Sequence, residues 1–185
     1  MQHFDSAPSC ACCSGFLHRR IDRRALLRGA GAAVAVGIAM PHFAVAASGH
    51  YEAMILACID PRLQEPVHAY AEKRHLIGQY SQFVIAGAAI GVVSPKFADW
   101  HKAFWDNLAV SIELHDIKSI IAIDHRDCGA AKIAYGEAKV ADPGVETETH
   151  KAAMAEFRKQ VGERQPKLKV ETLLMALDGS FVSFD

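Results

Sequence analysis

The sequence predicts an α/β fold: a parallel sheet with helices on both faces. Three observations predict it. Short apolar runs bounded by turn residues read as buried strands. These runs alternate with stretches of helical length and period, the order that calls for parallel strands joined by right-handed crossovers. A chain of 185 residues with 51% hydrophobic and 22% charged residues has the material for one packed domain.

Residues 1–46 are set apart as an export signal, leaving 47–185 as the folded domain. Arg19, Arg20, Arg23, Arg24 and Arg28 precede a small, apolar run from Gly29 to Met40, and Ala44-Val45-Ala46 supplies an A-x-A cleavage site. The segment Asp22-Arg23-Arg24-Ala25-Leu26-Leu27-Arg28 is similar to a twin-arginine signal, which implies a periplasmic destination. Cys10, Cys12 and Cys13 leave with the signal. No apolar run reaches the ~18–20 residues of a membrane span, so stable membrane insertion is not expected.

The mature chain then reads in order. Tyr51–Cys58 is a buried strand, and Pro66–Leu76 a helix stopped by Gly78. Gln82–Ala86 is a second short strand, broken by Gly87. Phe97, Trp100, Phe104, Leu108 and Ile112 recur at steps of three and four, which marks an amphipathic helix over Lys96–His115 with the tryptophans in its core stripe. Ile117–Ile123 is a third strand and a helix follows Gly129. Asp142-Pro143-Gly144 is a turn and N-cap ahead of a helix from about Val145 to Arg164. Lys169–Leu177 is a fourth strand, and Asp178-Gly179 turns the chain into Ser180–Phe184.

Charge narrows the function classes. The whole chain is at −1, and the mature part holds 15 basic against 19 acidic residues. Neither offers the basic surface that nucleic-acid binding requires, so no nucleic-acid partner is expected. Only Cys58 and Cys128 remain after cleavage.

Two clusters carry the chemistry. Cys58-Ile59-Asp60-Pro61-Arg62 ends the first strand, and His125-Arg126-Asp127-Cys128-Gly129 ends the third. In parallel sheets, ligands bind beyond the carboxyl ends of the strands, where the winding reverses. Two thiolates and one imidazole suit a tetrahedral zinc ion with one position open, as in catalytic rather than structural sites. Taken singly, each residue has a plainer reading: Cys58 as a core cysteine, Asp60 and Arg62 as a surface pair, His125 as a helix cap. Their joint placement at two strand ends favours the metal site.

Together these motifs resemble those of the β-class carbonic anhydrases, which have Cys-x-Asp-Ser-Arg after the first strand and His-x-x-Cys-Gly after the third. The resemblance runs from about Met54 to Phe184. It implies a three-layer fold around a mostly parallel four-stranded sheet of order 2-1-3-4. It also implies one zinc per chain, held by Cys58, His125 and Cys128, and reversible hydration of carbon dioxide to bicarbonate and a proton. Zinc would lower the pKa of its water so that hydroxide exists near neutral pH. Asp60 would orient that nucleophile, and Arg62 would hold Asp60 ionised and off the metal. The family further implies a homodimer or higher homo-oligomer.

Four departures stand out. Pro61 replaces the usual Ser, and Asp124 replaces the Gly before His125, which would add negative charge near the metal. Only Ala86-Gly87 survives of an Arg-Asn-Ala-Gly segment. No room is left between Ala47 and Tyr51 for the family's N-terminal helical arm. The alternatives are a related zinc hydrolase acting on carbonyl sulfide or carbon disulfide, and a non-catalytic or redox-active domain with a Cys58–Cys128 disulfide.

Overall fold

A computed structural model describes residues 49–184. The export signal expected over residues 1–46, with Arg23, Arg24 and the Ala46 cleavage site, lies outside the described residues. Ala53–Ala57 forms strand β1, Tyr80–Val84 β2, Ser119–His125 β3, Lys169–Met175 β4 and Phe181–Ser183 β5. The helices are α1 (Gln64–Lys73), α2 (Ala89–Val93), α3 (Ala98–His115), α4 (Gly129–Tyr135) and α5 (Pro143–Arg164). Single 3-10 turns at Pro61–Leu63 and Pro95–Phe97 lead into α1 and α3.

The sheet order is β2-β1-β3-β4-β5, and the first four strands run parallel. The expected count of four strands needs correcting to five. Residues 180–184 turn back at Asp178-Gly179, and β5 pairs antiparallel with β4 through Leu174 and Val182. The turn is held by Asp178, whose Oδ1 accepts from the Ser180 amide and hydroxyl. Three residues are too few to show a period, which is why the strand was not legible.

Every residue of β1 is buried, as is β3 from Ile120 onward. Both are covered on two faces, the condition that makes parallel strands read as continuous apolar runs. Successive side chains point to opposite sides. Ala53, Ile55, Ile121, Ile123, Leu173 and Met175 join Val67, Tyr70 and Ala71 of α1 in one cluster. Met54, Leu56, Ile120 and Leu174 join Phe104 and Leu108 of α3 and Met154, Phe157 and Val161 of α5 in the other. This is the expected three-layer arrangement.

Several boundaries differ from the sequence reading. β2 ends at Val84, because Gly87 (φ +81°) and Ala88 (φ +46°) turn the chain out of the sheet. The next five residues form α2, fully apolar and buried up to Val92, and too short for periodicity to reveal. α5 begins two residues early, with Pro143 in its first turn and Asp142 accepting from the Gly144 and Val145 amides. Residues 49–52 hold no helix; the Tyr51 amide bonds to the His115 carbonyl at the end of α3. Among the described residues, no helix is long and apolar enough to cross a membrane.

Candidate metal centre

Parallel pairing sets Ala57 of β1 opposite Ile123 of β3. Cys58 therefore leaves β1 beside the end of β3, where His125 is the last strand residue. Cys128 follows after a turn in which Asp127 takes a positive φ of 56°, and it sits at the N-cap position of α4. The Cys58, His125 and Cys128 ligand atoms all lie within 4.8 Å of one another, and all three residues are buried. His125 does not cap a helix: its ring is fully buried and its Nδ1 lies 2.8 Å from the Arg126 carbonyl oxygen. That bond fixes Nδ1 as the donor and leaves the Nε2 lone pair facing the two sulfurs, with no hydrogen-bond partner. A buried, unpaired imidazole nitrogen beside two thiols fits a zinc ion, whose bonds to such donors are about 2.0–2.3 Å.

The electrostatics fit the same ion. The Cys128 thiol, the His125 ring and the Gly87 amide, which donates to Cys58 Sγ at 3.2 Å, hold the Cys58 thiol far below its ordinary value. Cys128 is pushed up, because the neighbouring Cys58 takes its hydrogen bond and burial disfavours a second thiolate. Burial opposes a charged His125, but the neighbouring Cys58 sulfur and its charge outweigh that and raise it. Two thiolates this close are mutually repulsive unless a cation lies between them. Both cysteines are free, so the alternative Cys58–Cys128 disulfide is not formed in this structure.

Asp60 and Arg62 come together beside the donors. Arg62 Nε and Nη2 donate to the Asp60 carboxylate at 3.0 and 2.7 Å, and the Arg62 amide adds a third bond at 2.9 Å. This forked grip holds the Asp60 carboxyl down at about 2. Asp60 Oδ2 lies 3.9 Å from His125 Nε2. Pro61 opens the 3-10 turn that Asp60 caps, so its missing N–H costs nothing there.

Three further residues were missed. The Arg62 guanidinium also reaches Asp127, donating to Oδ2 at 2.8 Å and to the carbonyl at 3.2 Å. Glu146, buried on α5, accepts from the Asp127 amide at 2.7 Å and from Arg126 at 2.9 Å, and so locks the 125–128 turn. His150, one turn on, is fully buried with Nδ1 2.8 Å from Asp124 Oδ2. The signal was present: Glu146 and His150 fall on the same stripe of α5 as Met154, Phe157 and Val161, polar residues where the pattern asks for apolar ones.

Asp124 points to the sheet face opposite that of its neighbour His125. Its Oδ1 accepts from the Ala89 amide at 2.9 Å. Burial pushes its carboxyl up, against the pull of His150. The expected extra negative charge near the metal is thus a buried, partnered group.

A cavity of about 360 Å³ opens at Cys58 and Asp60, walled by Phe97, Trp100, Ala130 and Ile133 among others. Trp100 was expected in the core stripe; instead it is 38% exposed, stacked on Phe97 at 4.5 Å between centroids, and walls this cavity. A carboxylate and one member of a three-donor cluster at the edge of an apolar hollow can present an activated water to a small, weakly polar molecule.

A family model described as "Putative carbonic anhydrase" matches residues 48–182. An uncharacterized protein of Rickettsia bellii (strain RML369-C) is 34% identical over 126 residues, which is 68% of this chain and 77% of that protein. The β-carbonic anhydrase CafA of Aspergillus fumigatus is similar in structure, with a TM-score of 0.53 at 16% identity, covering 76% of this chain and 78% of that one. The carbonic anhydrase of Streptococcus mutans gives 0.51 at 17% identity, covering 75% and 84%. At these identities the structural likeness speaks for the fold. On the match to its family model, which spans most of the chain, this protein belongs to the carbonic anhydrase family which that model describes.

Proposed function

We propose that the protein catalyses the reversible hydration of carbon dioxide to bicarbonate and a proton, with one zinc ion per chain held by Cys58, His125 and Cys128. The observation that carries this reading is the convergence of those three buried donors beside an Asp60 that Arg62 keeps ionised. When bound, zinc supplies a Lewis acid that makes a nucleophile of water near neutral pH. Asp60 accepts a hydrogen bond from that water and orients it. Arg62 keeps Asp60 from protonating and from turning onto the ligand cluster. The Gly87 amide spreads the charge of the Cys58 sulfur. Phe97, Trp100 and Ile133 offer an apolar surface on which an uncharged linear molecule is favoured over water.

Zinc content together with stopped-flow carbon dioxide hydration tests the proposal. About one zinc per chain with hydration well above buffer supports it; metal-free protein, or a zinc protein without hydration, rejects it. Carbonyl sulfide and carbon disulfide belong in the same assay, because the apolar wall at Trp100 suits them equally.

We further propose a homodimer or higher homo-oligomer, and export to the periplasm by the twin-arginine route with cleavage after Ala46. Exposed Ile59 and Val84, together with the position of β2 at the sheet edge, support self-association. The Arg23-Arg24 segment supports the export route.

A further inference from the structure

We propose that Asp124 and His150 are positioning residues for the metal centre: the pair holds the 86–89 loop in the one conformation that keeps the Gly87 amide on the Cys58 sulfur. The inference rests on the zinc-site reading above.

The loop is under strain. Gly87 (φ +81°) is followed by Ala88 at φ 46°, ψ −113°, a conformation that alanine rarely adopts. Such backbone persists only where its surroundings over-determine it. Packing supplies one restraint: a Cβ on Gly91 would stand 2.4 Å from the Ala86 carbonyl oxygen, so α2 lies directly against the loop. Backbone bonds from the Ala88 amide to the Ile85 carbonyl at 3.1 Å and from the Ile90 amide to the Gly87 carbonyl at 2.9 Å shape the turn itself. The side-chain restraint is the hydrogen bond from the Ala89 amide, next after the strained residue, to Asp124 Oδ1 at 2.9 Å. Asp124 is in turn held by His150 Nδ1 at 2.8 Å, and both side chains are fully buried. Neither hydrogen-bonds a metal donor. They act through Ala89, Ala88 and Gly87 on the bond from the Gly87 amide to Cys58 Sγ at 3.2 Å. Without the Asp124 acceptor, the Ala89 amide is buried without a partner. The loop then relaxes, and the thiolate loses its amide donor. Groups that orient metal ligands in this way change metal affinity by about 10–100-fold when removed.

The test uses the full chain with Asp124→Leu, Asp124→Asn and His150→Phe. Zinc release to a chelator is timed at a temperature where circular dichroism shows each variant folded, and the Gly87 amide proton is followed by ¹⁵N NMR. In Asp124→Leu and His150→Phe, zinc should leave at least tenfold faster, and the Gly87 resonance should move upfield as its bond to sulfur is lost. Asp124→Asn keeps an acceptor for Ala89 and a partner for His150, so it should stay within about threefold of wild type. Wild-type release with an unmoved Gly87 resonance in His150→Phe would overturn the proposal. So would Asn releasing as fast as Leu, since charge rather than position would then matter. If Asp124→Leu does not fold, the other two variants decide. Zinc-free wild type would reject the metal-site reading, while the Gly87 resonance of the zinc-free variants would still decide the positioning role.

Discussion

Arg62 and Asp127 are hydrogen-bonded at 2.8 Å, and this contact ties the two motifs together across the end of the sheet. One guanidinium grips Asp60 from its own motif and Asp127 from the other. The residue that keeps Asp60 ionised is thereby anchored to the turn carrying His125 and Cys128.

Arg62→Ala should retain zinc and lose most hydration activity, with the greatest loss at low pH. Asp60 Oδ2 is already 3.9 Å from His125 Nε2, so a freed carboxylate can reach the donor cluster and block it. Rising pH favours the competing solvent ligand and should restore part of the rate. Stopped-flow rates from pH 6 to 9 check this; a wild-type profile would reject the assigned roles.

Asp127→Ala should cost less than tenfold in rate with zinc content unchanged. Arg62 keeps its bonds to Asp60, and the lost pair is solvent-exposed, where ion pairs contribute little. A loss as large as that of Arg62→Ala would show that Asp127 does more than anchor.

Cys58→Ser and His125→Ala should lose zinc and activity together, because each removes one of three protein donors. Metal analysis after gel filtration reads this directly, and full occupancy in both variants would exclude the site.

Acid stability should carry the mark of Asp60. Its folded value of about 2 lies below the ~3.9 of an unfolded Asp. Its stabilisation is therefore complete above pH ~4 and is lost as pH falls toward 2. Urea midpoints of zinc-free protein should fall across that window, and Asp60→Asn should flatten the fall.

Changing Arg23 and Arg24 to Lys should leave folded, zinc-loaded protein in the cytoplasm with its signal uncleaved. The twin-arginine route carries folded proteins, so thiolates can take up zinc in a reducing compartment before they meet an oxidising one. Cell fractionation with zinc measurement on each fraction checks it; normal export of the lysine variant would dismiss this route.

The parallel core and the site were legible for one reason. Met54–Cys58 and Ile120–His125 are apolar runs ending in chemically distinctive residues, and parallel strands gather such ends in one place. What stayed hidden depends on tertiary contact. Whether Trp100 faces core or cavity turns on Phe97 in the 3-10 turn just before α3, and α2 and β5 are shorter than any period. Asp124 read as an unneutralised charge because its partner, His150, lies 26 residues on, on a different helix.

The crossover between β1 and β3 also has a consequence in time. Cys58 emerges from the ribosome about 70 residues before Cys128. At the ~5–20 residues per second of synthesis, it waits roughly 4–14 s before its co-ligands exist. During translation it is an unpartnered ligand thiol in a sticky apolar segment, with Cys10, Cys12 and Cys13 already made upstream of it. The compartment of synthesis therefore matters to the finished centre as much as the compartment of residence.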